Sequence, residues 1–343
     1  MSGNKLRVLA LVHRHLIPPE TIPEGTDLES APWRTEYDVA TTLRAMGHEV
    51  QMLAVHDDLG DIRRAATEWK PQIAFNLLEG FDDVVIFDQN VVNHLELLKL
   101  SYTGCNSRGL LLARDKALSK KLLAYHRIPV PEFEVFRIGR PIRRPKRLPF
   151  PLIVKSLTQE ASIGISQASV VETDEKLKER VTFIHESIGT TAIAEQYIEG
   201  RELYVGILGN QTLQALPVWE LFFTNMPSDA KRIATDRVKW SVKYQKKYGI
   251  DSGAAKDLTD EVGGRIQHVC KRAFRALELS GYARIDLRFD EAGHVWLIEA
   301  NPNPQIAKGE DFAASAEKIG IGYDALLQRI VNLGLRWQPE SAA

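Results

Sequence analysis

The sequence predicts an α/β protein in three parts: an N-terminal unit with a parallel sheet, a small α+β unit, and a C-terminal α+β unit. Three observations carry this reading. Strand-like and helix-like segments alternate over the first hundred or so residues, a Pro- and Arg-rich stretch (RIPVPEFEVFRIGRPIRRPKRLPFP) interrupts them, and Gly281 to Gln305 has the period-2 pattern of a hairpin. At 343 residues the chain is long for one core, so two or three domains are expected, with boundaries at 1–112, 113–190 and 191–337.

The first part begins with the strand RVLALV, followed by a helical pattern from Glu36 to Met46 that Gly47 closes. EVQMLAV, a helix around Asp61 to Trp69, IAFNLL and a helix from Gln89 to Leu98 complete a βαβαβα series, which implies a parallel sheet with ligands at the carboxyl ends of its strands. Two acidic signals fall at those ends, Glu36 after strand one and NLLEGFDDVVIFDQ after strand three. Asp115 is a good N-cap for the next helix, with Lys116 just inside it. Residues 151 to 190 give the strand PLIVKSL, the loop TQEASIGIS, a second strand and a helix from Asp174 to Glu186. From Thr191 come three strands, a long polar segment from Phe222 to Ala255, a helix through Arg275, and the hairpin. A Lys-rich segment of that length reads as either functional or disordered.

Composition narrows the function. Lys and Arg number 44 against 45 Asp and Glu, so no global field draws the chain to nucleic acid or an anionic membrane. The basic residues between Arg137 and Arg147 are interleaved with proline and lack an aromatic platform, and they read as a solvated loop. The apolar run Val8 to Val12 is too short for a signal peptide and no stretch approaches the ~20 residues of a membrane span, so a cytoplasmic location is expected. Cys105 and Cys270 have no neighbouring Cys or spaced His and read as buried small hydrophobes.

The hairpin GYARIDLRFDEAGHVWLIEANPNPQ carries the sharpest chemistry. Ile285, Leu287 and Phe289 alternate with polar residues, as do Trp296, Ile298 and Ala300 after the turn DEAG. Folding about Ala292 sets Asp286 roughly opposite Ile298 and Glu299, while Glu299 and Asn301 share a face. Two acids and an amide then converge as hard oxygen donors suited to magnesium between carboxylates and phosphates. Elsewhere Lys155 ends an apolar strand beside a loop with Ser162 and Gly164, an arrangement that holds phosphate through an ammonium and exposed backbone N–H groups. AEQYIEGRELYV places Glu195 at a strand end and Glu202 at the next strand's start, where a crossing offers backbone groups to a purine and a carboxylate to ribose. Taken singly, each of these also describes an ordinary wet surface.

Together and in order, YTGCNSRGLLLARDKALSKKLL, PLIVKSLTQEASIGIS, AEQYIEGRELYVGILG and ARIDLRFDEAGHVWLIEANPNP resemble the ATP-grasp superfamily, and within it the D-alanine–D-alanine ligase branch. The resemblance implies a pre-ATP-grasp N-terminal domain, a lid subdomain and a C-terminal subdomain with a metal site. It matches Lys116 and Lys155 to phosphate-contacting lysines, Ser162 to the phosphate loop, Glu195, Gln196, Tyr197 and Ile198 to the adenine-contacting crossing, and Glu202 to the ribose carboxylate. Asp286, Glu299 and Asn301 match magnesium ligands, with manganese as an alternative, and Arg284 matches an oxyanion-stabilising arginine. Glu36 lies where the branch binds an amino group, and Lys247 is the match for a phosphate-facing lysine in the closing loop. The implied activity is ATP-dependent joining of a small carboxylate and an amine, amino acids among them, through an acyl phosphate. A true D-alanine–D-alanine ligase, a non-catalytic ATP-binding protein and a kinase share the same nucleotide residues. No nucleic-acid or membrane partner is implied, and a homodimer is allowed.

The sequence departs from the branch on the substrate side. Gln305, Ile306, Ala307 and Lys308 stand where the branch has Gly and then a Thr and a Ser for the second amino acid, Ala161 replaces one of two adjacent loop serines, and FDDVVIFDQ keeps only Asp88 and Gln89 of a Gly-Glu-Asp-Gly region.

Overall fold

The computed structural model describes residues 5–159, 162–228 and 230–339, so Ala161 lies outside the described residues. The chain opens with β1 (Arg7–His13), α1 (Arg34–Ala45), β2 (Glu49–Val55), α2 (Gly60–Glu68), β3 (Ile73–Asn76) and α3 (Asp88–Leu97). These strands pair in the order β2-β1-β3, both pairings parallel, as the βαβ alternation requires. Two helices follow, α4 (Ser107–Arg114) and α5 (Lys116–Tyr125), and the Asp115 side chain accepts from the amides of Ala117 and Leu118 to start α5.

A small antiparallel sheet comes next, built from β4 (Phe133–Phe136), β5 (Leu152–Ser156), β6 (Val170–Val171) and β7 (Ala192–Gln196) in the order β4-β7-β5-β6, with α6 (Asp174–Phe183) across it. The strand read as beginning at Thr191 therefore belongs to this sheet, between β4 and β5. The unit has its own core of Phe136, Leu148, Leu152, Val154, Leu177, Val181 and Ala194. Its helix gives way to a π-helical turn over Ile184–Ile188, which Gly189 ends in the left-handed region.

The last sheet holds β8 (Arg201–Gly209), β9 (Leu213–Ala215), β10 (Trp219–Phe223), β11 (Ile250–Ala254), β12 (Tyr282–Phe289) and β13 (Val295–Pro302), in the order β11-β10-β8-β12-β13 with β9 on β8. Between β10 and β11 the segment read as one long loop instead carries α7 (Asp236–Trp240) and α8 (Val242–Tyr248), capped by Thr235 and Ser241. The amphipathic α9 (Asp260–Ala276) covers one face through Ile266, Cys270, Ala273 and Phe274. These residues share a continuous core with Leu9 and Leu11 of β1 and Ile285 and Leu287 of β12, so the first and last sheets are joined through one apolar interior. Helices α10 (Asp311–Glu317) and α11 (Tyr323–Arg336) close the chain. Both cysteines are free and buried. No helix among the described residues is long and apolar enough to cross a membrane.

One close approach fixes the end of the hairpin. Gly104 has φ +94°, and a Cβ there would sit 2.3 Å from Asn303 Oδ1, which instead accepts the Cys105 amide at 2.7 Å. The loop TGCN is thereby pinned against the segment NPNP.

Candidate active site

The hairpin register sets Asp286 opposite Glu299 and Arg284 opposite Asn301. A bulge between Asp286 and Leu287 leaves Ile298 unpaired, and it changes which residues of β13 face the core. The sequence reading buries Trp296, Ile298 and Ala300 together; the structure buries Val295, Leu297, Ala300 and Pro302 and turns Trp296 and Ile298 outward. Without the extra residue, the Val295 and Leu297 alternation would put Glu299 in the core. On the same polar face β8 contributes Glu202 and Tyr204, opposite Arg288 and Asp286.

This face is tightly paired. Arg284 donates to both oxygens of Asp286, Nε at 2.8 Å and Nη2 at 2.9 Å, and stacks 4.7 Å over the Tyr204 ring. Arg288 donates to Glu202 at 2.6 Å, and the other Glu202 oxygen accepts the Tyr204 hydroxyl at 3.0 Å. The ribose carboxylate expected at Glu202 is thus held in place by an arginine that the sequence reading passed over. Arg288 lies two residues from Asp286 and so on its face, a signal that alternation alone contained.

Facing this sheet is a cluster of lysines. Lys116 and Lys120 lie one turn apart on α5, Lys155 comes from β5, and Glu195 from β7 stands diagonally across from Lys155. Glu195 is 1% exposed and sits between two ammonium groups, 3.1 Å from Lys155 Nζ and 3.4 Å from Lys120 Nζ. Its side chain therefore holds two lysines at the cleft, which Glu195, Gln196, Tyr197 and Ile198 all line. The amides of Gln196 and Tyr197 are already taken by the carbonyls of Glu132 and Pro151. Lys120, fully buried, also donates to the carbonyl of Ile298 at the bulge. Its spacing of four from Lys116 was the sequence signal for it.

Lys116, Lys155, Ser162, Glu195, Gln196, Tyr197, Ile198, Glu202, Asp286 and Glu299 all line one cleft between the small sheet and the large one. Lys116 donates to the Gln159 carbonyl at 2.7 Å and lies 3.8 Å from Glu299. Burial pulls its ammonium down to about 8, against the opposing pull of Glu299. Burial would lower Lys155 too, but Glu195 and Glu299 push it above its ordinary value. Glu299 runs the other way, since burial would raise it and Lys116, Lys155, Lys239 and Lys120 together draw it below the usual carboxylate range. Asp286 is raised, burial outweighing the Arg284 guanidinium. Ser162 has φ +62° and donates its hydroxyl to the Ala234 carbonyl at 2.7 Å, so the loop that carries it is tied to the segment before α7 across the cleft.

Four expected residues fall outside that lining: Arg284 and Asn301, which face each other on the hairpin beside the Asp286–Glu299 pair, and Lys247 and Glu36, which are elsewhere. Lys247 is exposed on α8, 4.9 Å over the ring of Tyr248, and the lysine of this segment that lines the cleft is Lys239 on α7. The break at Ser241, which ends α7 and caps α8, separates the two. Glu36, 4% exposed on α1, lies outside the cleft lining; burial raises its carboxyl to about 7, Glu79 adds to the rise, and its Oε2 has no hydrogen-bond partner.

Asp286, Glu299 and Asn301 fit a divalent cation with oxygen ligands. Two carboxylates directly opposite one another repel, which a cation between them relieves. The buried Asn301 Nδ2 is unpartnered, so the amide is not committed to either orientation and can turn its oxygen toward an ion.

Just past β13, Gln305 is exposed and the segment after it is clamped to α1. The Lys308 amide donates to Asp38 at 2.9 Å, Arg34 donates to the Lys308 carbonyl, and Arg34 Nη1 lies 3.1 Å from Glu310.

A family described as D-ala D-ala ligase C-terminus matches residues 122–332. An uncharacterized protein of Sinorhizobium fredii, y4sG, is 27% identical over 93% of this chain and 90% of its own length. A D-alanine–D-alanine ligase of Desulfotalea psychrophila is 30% identical over 85% of this chain and 87% of its own. Among solved structures, a D-alanine–D-alanine ligase of Bacillus anthracis complexed with ATP superposes with a TM-score of 0.74 at 20% identity, covering 96% of this chain and 98% of that one. The chain has the ATP-grasp fold and belongs to the D-alanine–D-alanine ligase C-terminal family, whose enzymes form C–N bonds.

Proposed function

We propose that the chain is an ATP-dependent carboxylate–amine ligase that forms an amide through an acyl phosphate and releases ADP and phosphate. The observation that carries the reading is the convergence of Lys116, Lys155 and Lys239 on the Asp286–Glu299 pair in one cleft. Cations on one wall and paired acids on the other suit a polyphosphate bridged to a metal, and they suit little else. In this reading residues 1–112 form the N-terminal unit, while the pairing of β7 with β4 and β5 moves the second boundary from 190 to past Gln196, so that 113–196 form the lid and 197–337 the unit with the metal site.

The donor carboxylate attacks the γ-phosphorus and the P–O bond to ADP breaks, leaving an acyl phosphate; the amine then attacks the carbonyl carbon and phosphate departs. Lys116, Lys155 and Lys239 neutralise the moving charge while the tie between Ser162 and Ala234 keeps water out. Arg284 keeps Nη1 available for the oxyanion after Nε and Nη2 are spent on Asp286. Asp286, Glu299 and Asn301 would hold magnesium, or manganese in its place, which would supply further charge neutralisation at the phosphates. Glu36 is placed to receive an amino group, whose positive charge would hold the raised carboxyl ionised.

Gln305 stands exposed where the branch has glycine, and the clamped segment through Lys308 carries no Thr or Ser in the place of the branch hydroxyls, so the acceptor is read as an amine other than D-alanine. The same chemistry with D-alanine in both roles is the second reading, favoured by the name of the Desulfotalea relative. The test is phosphate release with the acid alone, the amine alone, and both. A ligase frees phosphate only with both. Phosphate retained on the acid would make the chain a kinase, and ATP binding without turnover on any pair would make it a scaffold.

A further inference from the structure

The loop after β3 contains an acidic run that the ligase reading leaves unused. Asp82 and Asp83 both adopt left-handed backbone, φ +54° and +56°, a conformation that aspartate tolerates at some cost. The Asp82 amide donates to the His56 carbonyl at 2.8 Å, which folds the loop onto the end of β2. The effect is to carry the Asp83 carboxylate onto two histidines from neighbouring strands, His13 at the end of β1 and His56 just past β2.

Asp83 Oδ1 lies 3.4 Å from His13 Nε2 and 3.9 Å from His56 Nδ1, and the ligand atoms of the three residues fall within 4.8 Å of one another. A tetrahedral ion with nitrogen and oxygen ligands at about 2.1 Å has ligand–ligand edges of about 3.4 Å, so the His13–Asp83 contact already matches an edge and the His56–Asp83 contact is within about 0.5 Å of one. His56 Nδ1 is buried and makes no hydrogen bond, a condition that ordinarily has a cause. A third imidazole, His15, has its ring centre 5.2 Å from that of His13 and 6.4 Å from that of His56. The set differs in kind from Asp286, Glu299 and Asn301: imidazole nitrogen prefers zinc-class transition ions, whereas carboxylates and an amide prefer magnesium.

We propose that His13, His56 and Asp83 form a second metal site, for a divalent transition ion of the zinc class, at the carboxyl edge of the N-terminal sheet. Ligation through Nε2 puts the His13 proton on Nδ1, so the 3.4 Å contact from the His15 amide to that nitrogen opens on loading. The fourth position is left to water or to His15.

The experiment titrates the full chain, stripped with chelator, with Zn²⁺ by calorimetry and with Co²⁺ by visible absorption. One equivalent is expected to bind with the spectrum of nitrogen ligation. Because the Asp83 side chain is 72% exposed, D83N leaves the fold intact, and with H56A it should weaken binding by at least the ~10–100-fold seen when a metal site loses supporting groups. E299Q should keep this ion. No uptake by the wild-type chain, equal uptake by D83N and H56A, or loss in E299Q with retention in H56A would each overturn the site, the last by placing the ion at the hairpin.

Discussion

Glu195 and Glu36 are both almost fully buried carboxylates, 1% and 4% exposed, and their surroundings are opposite. Glu195 lies between Lys155 at 3.1 Å and Lys120 at 3.4 Å. Glu36 has an oxygen with no partner, and the charge that acts on it is another acid, Glu79. The phosphate side of the molecule is thus pre-paired: its acids hold lysines in position before any nucleotide arrives, so little reorganisation remains for the reaction. The N-terminal side keeps a desolvated acid without a nearby cation among the described groups acting on it. One carboxylate is paired within the structure and the other is buried without a cation beside it.

The largest effect expected from this contrast is at the hairpin. Glu299→Gln keeps the volume and removes a charge from the metal-facing pair, so turnover at limiting magnesium should fall by roughly 10²–10³-fold while the unfolding midpoint barely moves. Normal turnover at limiting magnesium would end the metal reading. Lys155→Ala should lose nucleotide affinity and stability together. It leaves Glu195 buried with Lys120 as its one near cation, and breaking a buried pair costs about 3 kcal/mol. Urea denaturation checks this, and an unchanged midpoint would mean that Glu195 is not held by its lysines.

Glu36 gives the opposite signature. Its carboxyl sits near 7 in the folded chain against 4.5 as the ordinary value, so between those pH values the folded state binds more protons than the unfolded one. Its contribution is therefore full below the ordinary value and is lost as pH rises through about 7. Glu36→Gln, always neutral, should match wild type near about pH 4 and exceed it on the order of 2 kcal/mol near about pH 8. Parallel stability curves across that range would show that Glu36 is not desolvated. The smallest effect separates two lysines of one segment. Lys239→Ala should reduce kcat/KM about tenfold, as loss of one point charge near phosphate would, while Lys247→Ala stays within about twofold. Equal losses would mean that α8 turns inward during turnover.

The sequence made regular elements legible where local rules suffice. EVQMLAV is β2 to the residue, and Asp115 caps α5 as its side chain predicted. The acids of the hairpin were visible because alternation isolates them on one face. Long-range choices were not visible. The bulge at Ile298 decides the core face of β13, yet it depends on pairing with β12 rather than on the β13 sequence. Lys239 could not be told from Lys247 because a run of lysines carries no phase until Ser241 breaks the helix. That Glu195 bridges two lysines at the cleft was hidden, since only the pairing of β7 with β5 reveals what stands beside it.

The claim that the phosphate side follows the family while the acceptor side does not is tested most directly by steady-state phosphate release, with D-alanine as the sole amino acid and with acids and amines supplied pairwise. Some other pair should reach a kcat/KM of about 10⁴ M⁻¹s⁻¹ or more, ordinary for an enzyme on its own substrate. D-alanine should fall roughly 30-fold or more below it, as the loss of two hydrogen-bond donors at the acceptor would impose. D-alanine alone reaching about 10⁴ M⁻¹s⁻¹ would contradict it and make the chain a D-alanine–D-alanine ligase with an altered acceptor wall.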